Sequence, residues 1–345
     1  CPRTALRGHG QAVPDRLLGR AVWAPSASHR SPRAPASTAN LGPGYDVFGL
    51  GLDVLEDIVT VKIKKKSNSI KNNLKIIIRG NGKKDIPNNP NYNTAGIVAR
   101  KIISEYSLYN YSYVIEIEKN IPAGYGMGSS AASAVATAIS FNSLFGLDLD
   151  ENKLLDYSAE GELASAGVKH YDNIAGSLFG NFVIIKTYPK LEFIRIKSPN
   201  DLIAVVCVPL INVPKMKTEV SRRLIPKRVL LEKTVHNVAN ACSIVAGFYN
   251  QDVNMICNGI NDCIIEPARK KVIPGYDKIK KRSLEEGAMA FTISGAGPSS
   301  IAFLNSRKKG LHLTEVMKEE YKKIGIRCET YLAKPSKGST IISKK

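Results

Sequence analysis

The chain has 345 residues, 49 Lys and Arg against 30 Asp and Glu, a formal net charge of +19 and 43% hydrophobic residues; this length suits one large or two ordinary domains, and this composition excludes wholesale disorder. The longest apolar run, LIAVVCVPLI from Leu202 to Ile211, is about half of the ~20 residues that a membrane-spanning helix needs, and Pro209 interrupts it, so an integral membrane protein is excluded. The six Cys include no CxxC pair and sit mostly in apolar surroundings, which points away from a zinc site or a disulfide framework and toward a reducing, cytoplasmic setting.

Residues 1–33 differ from everything after them. They hold six Arg, one acid (Asp15), the only Trp (Trp23), four Pro and no Lys, and without them the net charge falls from +19 to +14. An Arg-rich, acid-poor leader suits a transit peptide, but Ser is scarce and the apolar stretch of a secretory signal is missing. The segment is expected to lie outside the fold. From Arg33 the pattern becomes regular. Leu52–Lys64, Leu74–Arg79 and Tyr113–Glu118 alternate apolar with polar residues and read as strands, while Thr94–Tyr106 has helical spacing behind Asn93 as a cap. Helices are expected over Ser129–Phe145 and Glu151 to about Ala166, and a strand over Asn181–Lys186. Pro189, Pro199 and Asn200 mark a domain boundary, which divides the chain into residues 34–195 and 196–345. The second half is expected to hold strand Leu202–Val208, helices near Glu219–Leu224 and Val229–Phe248, strands Ala288–Ile293 and Ser299–Leu304, helix Thr314–Ile324, strand Cys328–Ala333, and a frayed basic end, SKGSTIISKK.

Three segments carry chemistry. In IPAGYGMGSSAAS (Ile121–Ser133), Gly124, Gly126 and Gly128 remove Cβ atoms that would keep backbone away from a polyanion. Ser129 and Ser130 then open a helix whose free amides and dipole favour a phosphate. The spacing is neither that of a Walker A loop, which needs a following Lys, nor that of GxGxxG. APASTANLGPGYDVFGLGLD (Ala34–Asp53) combines a polar Ser and Asn run, a GPG turn and Asp46, and FTISGAGPSSIAF (Phe291–Phe303) places a second glycine turn between apolar strands.

In this order and at these separations, the three segments resemble the three motifs of the GHMP kinase superfamily and, within it, those of homoserine kinases. GVKHYDNIAGSLFGNF (Gly167–Phe182) and EPARKKVIPGY (Glu266–Tyr276) strengthen the second likeness, which spans about Arg33 to Ala333. The resemblance implies an α+β fold of two domains, an N-terminal nucleotide-binding domain and a ferredoxin-like C-terminal domain with the site between them. It implies phosphoryl transfer from ATP to the side-chain hydroxyl of L-homoserine, on the route to threonine, and it makes a homodimer reasonable. The nucleotide would lie on Pro122, Ala123, Gly124, Tyr125, Gly126, Met127, Gly128, Ser129, Ser130, Ala131 and Ala132. Magnesium takes hard oxygen ligands and keeps several waters, so one hydroxyl and one carboxylate suffice. Ser130 supplies the first, and of Glu160 and Glu162 the family match favours Glu162 for the second. Arg fits a carboxylate with a planar fork; Arg222 and Arg269 match the family's carboxylate-binding arginines, with Arg223 adjacent to the first. Asn40, Asp46 and His170 match substrate-facing positions, and Asp46 could pair with the ammonium. Asn173 matches the residue expected to hold the acceptor hydroxyl without a dedicated base, with Asp172 as the alternative.

Two rivals stand beside this expectation. A shikimate- or mevalonate-type kinase would act on an acceptor with no amino group, and Asp46, the HYDN segment and the paired arginines are the features that discriminate against it. The basic charge suggests a nucleic-acid-binding module, but aromatic content is only 7%, and the runs at Lys62–Lys66 and Lys280–Arg282 each have acids nearby. No nucleic-acid or membrane partner is therefore expected.

Overall fold

The computed structural model describes residues 30–65, 74–83, 86–163, 167–214 and 217–343. β1 (Arg30–Ala39) and β2 (Phe48–Lys65) pair antiparallel, with a register shift between Pro35 and Ala36. The length of β2 lets it serve further neighbours: its second half pairs with β4 (Tyr111–Glu118) and its first residues pair with β5 (Phe182–Lys186). β3 (Leu74–Arg79) lies parallel to β4, and α1 (Thr94–Glu105) forms the crossover that a parallel pair requires. Asn93 caps α1, its Oδ1 accepting from the Ala95 amide at 2.9 Å. β6 (Glu192–Ile196) folds back on β5, and β11 (Thr340–Ser343) pairs with β1, which makes a seven-stranded sheet among the described residues. α2 (Ser129–Phe145) packs on β1 and β2 with α1, α3 (Glu151–Glu160) and α4 (Asp172–Phe179) around it. Its buried face is built of Ala131, Ala132, Ala134, Ala136 and Ala138, small enough for helix and strands to approach closely.

The second sheet holds β7 (Ile203–Pro209), β8 (Ala290–Ile293), β9 (Ser300–Leu304) and β10 (Cys328–Ala333) in the order β10, β7, β9, β8, every neighbour antiparallel. Between β7 and β8 run α5 (Lys217–Arg223), α6 (Leu231–Asn250), α7 (Val253–Gly259), α8 (Ile265–Arg269) and α9 (Tyr276–Glu285); α10 (Arg307–Lys323) joins β9 to β10. This βαββαβ order is the ferredoxin-like arrangement. The continuous apolar run before Pro209 is explained by burial on both faces of β7: Ile203, Val205 and Cys207 join the core under α9 and α10, while Ala204, Val206 and Val208 join a core shared with the first sheet. Phe182 of β5 stacks on Phe248 of α6 with ring centroids 4.0 Å apart, locking the two halves together. No helix among the described residues is long and apolar enough to cross a membrane.

Several expectations need correction. Residues 1–29 lie outside the described residues, but Arg30–Arg33, placed in the leader on composition, belong to β1 and pair with β11. The C-terminal SKGSTIISKK is not frayed over its described part, because Thr340–Ser343 form β11. β11 returns the chain to the first sheet, so residues 196–345 are not one contiguous unit, and the β5–β6 hairpin carries the first sheet to Ile196. α3 ends at Glu160, and residues 164–166 of the longer helix expected there lie outside the described residues. α10 begins seven residues before Thr314, at Arg307, capped by Ser306.

A buried ion pair sits beneath the glycine segment. Lys119, at the end of β4, contacts Asp57 of β2 and the Ser129 carbonyl, and its Nζ donates to Ser133 Oγ at 2.7 Å. The Asn120 and Ile121 amides donate to Asp57 Oδ1 at 3.0 and 3.1 Å. Both side chains are almost wholly enclosed, at 3% and 0% exposure, so removing one partner strands the other charge. Lys119→Met is expected to lower unfolding free energy by about 3–5 kcal/mol, read as a shift of the urea midpoint. An unchanged midpoint would show that the pair is not structural.

Candidate active site

The glycine segment runs from Ile121 to Gly128, between β4 and α2. Neither serine caps α2. The capping position is Gly128, with φ 67°, and both hydroxyls are turned elsewhere: Ser129 Oγ donates to the Ile121 carbonyl at 2.8 Å, closing the loop, and Ser130 Oγ donates to Glu162 Oε1 at 2.7 Å. The glycines also do more than admit a ligand. A Cβ on Gly126 would lie 2.3 Å from the Ser294 carbonyl oxygen, and one on Gly128 would lie 2.0 Å from Ser37 Oγ. Both positions have positive φ, and their missing side chains let three segments distant in sequence meet.

Ser294 Oγ, in the turn between β8 and β9, lies 2.8 Å from the Gly126 carbonyl and 2.9 Å from Thr38 Oγ1. Asn40, in the turn between β1 and β2, uses both ends of its amide: Nδ2 donates to the Gly295 carbonyl at 2.9 Å, and Oδ1 accepts from the Asp46 amide at 3.0 Å. Ser37 Oγ lies 3.0 Å from both the carbonyl and Oδ1 of Asn173, in the first turn of α4. The three segments thus form one junction along a cleft of about 1320 Å³. Its lining includes the apolar residues Leu55, Ile78, Ile86, Pro87 and Tyr92, the glycine segment, and a polar group of Asp46, His170, Asp172, Asn173, Arg222 and Arg269.

The polar group around Asp46 has unusual electrostatics. Arg222 Nη2 donates to both oxygens of Asp46 at 2.6 Å and lies 3.0 Å from His170 Nδ1. Burial, reinforced by the Arg222 charge, holds the imidazole below its usual pKa. A neutral ring that accepts at Nδ1 carries its proton on Nε2, and His170 Nε2 is buried with no hydrogen-bond partner. Arg222 Nε and Arg269 Nε share that condition. Arg269 is 3% exposed, and its Nη1 donates to the Gly295 carbonyl at 2.9 Å. Arg223 leaves the site: it is 75% exposed and pairs with Glu219. Glu160 pairs with Lys169 at 2.9 Å, whereas Glu162 is buried against Ser130. The geometry therefore places Arg222 and Glu162, not their neighbours, on the cleft.

Asp172 is buried, and its Oδ1 accepts from the Asn173 amide at 2.7 Å. Burial and the negative charge of Asp46 push its carboxyl up to about 7. An acid raised in this way holds more protons folded than unfolded, so its contribution favours the fold up to the unfolded value of about 4 and is lost as pH rises toward 7. Asp172→Asn is expected to remove a loss on the order of 2–4 kcal/mol between pH 4 and pH 8, measured by denaturant unfolding at both pH values. A variant that keeps the wild-type dependence would contradict this.

Sequence reasoning did not find Tyr45, whose ring is in contact range of both Arg222 and Arg269, nor the Lys119–Asp57 pair, nor Ser37 and Ser294 as junction residues. Only Tyr45 carried a signal, as an aromatic residue adjoining Asp46 in the GPG turn.

Comparison with known proteins shows the family. The model of the GHMP kinases N terminal domain matches residues 93–181, and that of the GHMP kinases C terminal domain matches residues 244–323. A homoserine kinase of Methanococcus maripaludis is 35% identical over 306 residues, which cover 88% of this chain and 95% of the relative. Another, of Methanopyrus kandleri, is 38% identical over 272 residues, or 78% of this chain and 85% of that one. The crystal structure of homoserine kinase from Cytophaga hutchinsonii superposes with a TM-score of 0.84 at 30% identity, covering 94% of this chain and all of that one. Mevalonate kinase of L. major, solved with R-mevalonate, shares the fold at a TM-score of 0.67 and 13% identity, over 90% of this chain and 98% of that one. The chain belongs to the homoserine kinase family of the GHMP kinases.

Proposed function

We propose that the chain transfers the terminal phosphoryl group of ATP to the side-chain hydroxyl of L-homoserine, giving O-phospho-L-homoserine. One observation supports this reading: Arg222 Nε, Arg269 Nε and His170 Nε2 are three buried donors without partners, gathered around Asp46 and Tyr45 in a cleft that the glycine loop also lines. Ten other buried side-chain atoms among the described residues also lack a partner, so it is the gathering of three donors on one cleft that points to an anionic ligand. The Arg222–Asp46 pair makes the preference specific. A zwitterionic acceptor brings a carboxylate to the arginines and an ammonium to Asp46, so charges are exchanged without leaving one uncompensated. Mevalonate and shikimate carry a carboxylate but no ammonium; binding either at Arg222 would strand Asp46.

The remaining roles follow from the chain's own groups. The first amides of α2 have no carbonyl one turn back, and they join the helix dipole in attracting phosphate. The apolar part of the cleft lining, Leu55, Ile78, Ile86, Pro87 and Tyr92, suits a purine base. Ser130 Oγ and the Glu162 carboxylate, 2.7 Å apart, fit a magnesium ion, which needs little more from protein than one hydroxyl and one carboxylate. Such an ion, when bound, neutralises charge that accumulates on the transferring phosphoryl group. With its Oδ1 held by Ser37, Asn173 presents its amide nitrogen to the acceptor hydroxyl oxygen. Asp172 adjoins it with a carboxyl poised near neutrality, and is the alternative proton acceptor.

The test is a coupled ADP-release assay with L-homoserine, L-serine, mevalonate and shikimate side by side. L-homoserine should be the preferred acceptor by kcat/KM; turnover of mevalonate or shikimate with L-homoserine inert would overturn the reading.

A further inference from the structure

The site contains a residue that neither the phosphate cradle nor the acceptor contacts account for. Tyr45 sits in the turn between β1 and β2, next to Asp46, and its ring centroid lies 5.2 Å from the guanidinium carbon of Arg222 and 5.2 Å from that of Arg269. Both distances are within the range at which a cation is attracted to an aromatic face. The two arginines come from separate elements, α5 and α8, and carry the same charge. Arg222 has Asp46 as a counterion, but among the described residues Arg269 forms no ion pair; its Nη1 rests on a backbone carbonyl and its Nε has no partner. Two converging guanidiniums, one of them buried, repel each other; the Asp46 and Asp172 carboxylates act against that repulsion at Arg269, and the Tyr45 ring, in contact range of both cations, adds to them.

We infer that the Tyr45 ring is the positioning residue that lets Arg222 and Arg269 converge on one carboxylate, and that it thereby sets acceptor affinity. This rests on the reading above in which the two arginines take the acceptor carboxylate. The ring's negative faces compensate both cations while the acceptor is absent, and its bulk fixes their separation. The hydroxyl contributes no negative charge to the pair. Burial and the adjacent Asp46 charge hold it above its usual pKa, so it stays protonated through the neutral range. The ring, not the phenol, is needed, and a side chain of similar bulk without a π face should fail.

The experiment is steady-state kinetics on the full chain for wild type, Tyr45→Phe and Tyr45→Leu, varying L-homoserine and ATP in turn. Tyr45→Phe should stay within about threefold of wild type in every constant. Tyr45→Leu should raise KM for L-homoserine by roughly ten- to thirtyfold, with kcat and the KM for ATP within about threefold. A general disturbance of the fold would move both KM values. If Tyr45→Leu left the homoserine KM unchanged, or if Tyr45→Phe were as impaired as Tyr45→Leu, the inference would be overturned. Should Tyr45→Leu not fold, Tyr45→Met is read in its place with the same two outcomes. Wild-type turnover on L-homoserine is measured first: its absence would contradict the functional reading itself, whereas wild-type turnover with an unchanged KM in the variant contradicts the role of Tyr45 alone.

Discussion

Glu162→Gln should lower kcat/KM for Mg-ATP by roughly 100- to 1000-fold while leaving the fold intact. The glutamine keeps the shape of the side chain and can still accept from Ser130 Oγ, the contact now seen at 2.7 Å. What it removes is a full negative charge at a buried position beside the first turn of α2. A divalent cation held by one hydroxyl and one carboxylate loses its only charged protein ligand, so raising Mg2+ should recover part of the activity, and the apparent affinity for Mg2+ should fall with it. The measurement is a magnesium titration at fixed ATP. A variant within about threefold of wild type at every Mg2+ concentration would move the metal elsewhere and would reopen Glu160, which is now engaged with Lys169.

Arg269→Met should raise the KM for L-homoserine by roughly 100-fold or more with the KM for ATP nearly unchanged, because truncating one partner of a buried charged contact typically costs ~2–5 kcal/mol. Methionine retains the apolar stem beneath Tyr45 but loses the fork that a carboxylate needs. It also loses the hydrogen bond from Nη1 to Gly295, which ties α8 to the turn between β8 and β9. Arg269→Lys should recover little, since a point charge cannot reproduce bidentate contact. Arg223→Met is the control: an exposed side chain paired within its own helix should leave both constants near wild type. Equal loss in the Arg223 and Arg269 variants would contradict the placement of the carboxylate.

Much of this site could be read in the sequence, for reasons that differ from residue to residue. Ser130 and Asp46 lie in segments whose glycine pattern already marks a phosphate cradle and a tight turn. Arg222 and Glu162 were each one of two candidates, and nonlocal contacts separate them from their neighbours: Arg223 is exposed and paired with Glu219, while Glu160 is engaged by Lys169. Tyr45 and Lys119 could not be assigned, because what defines them is nonlocal. Tyr45 matters for two arginines far along the chain, and Lys119 reads as an ordinary strand end until Asp57 is brought beneath it.

The fold shows the same division. The apolar run before Pro209 and the Asn93 cap are local signals, and they became β7 and α1. β1 is different: it contains Pro32 and Pro35 among small residues, a pattern that argues against a strand, and its register shift beside Pro35 shows how the sheet accommodates it. β11 is a strand only because β1 offers it an edge. The basic charge that suggested a polyanionic partner proves partly neutralised where it is described, with Lys62 on Glu116, Lys280 on Glu266 and Arg282 on Glu286.

The central claim is that this cleft delivers a phosphoryl group to the hydroxyl of a zwitterionic amino acid. The 31P NMR spectrum of the product, formed with Mg-ATP and an equimolar mixture of L-homoserine and mevalonate, tests it most directly. A single phosphomonoester on the homoserine side-chain hydroxyl is predicted. A phosphorylated mevalonate with the homoserine recovered unchanged would contradict it.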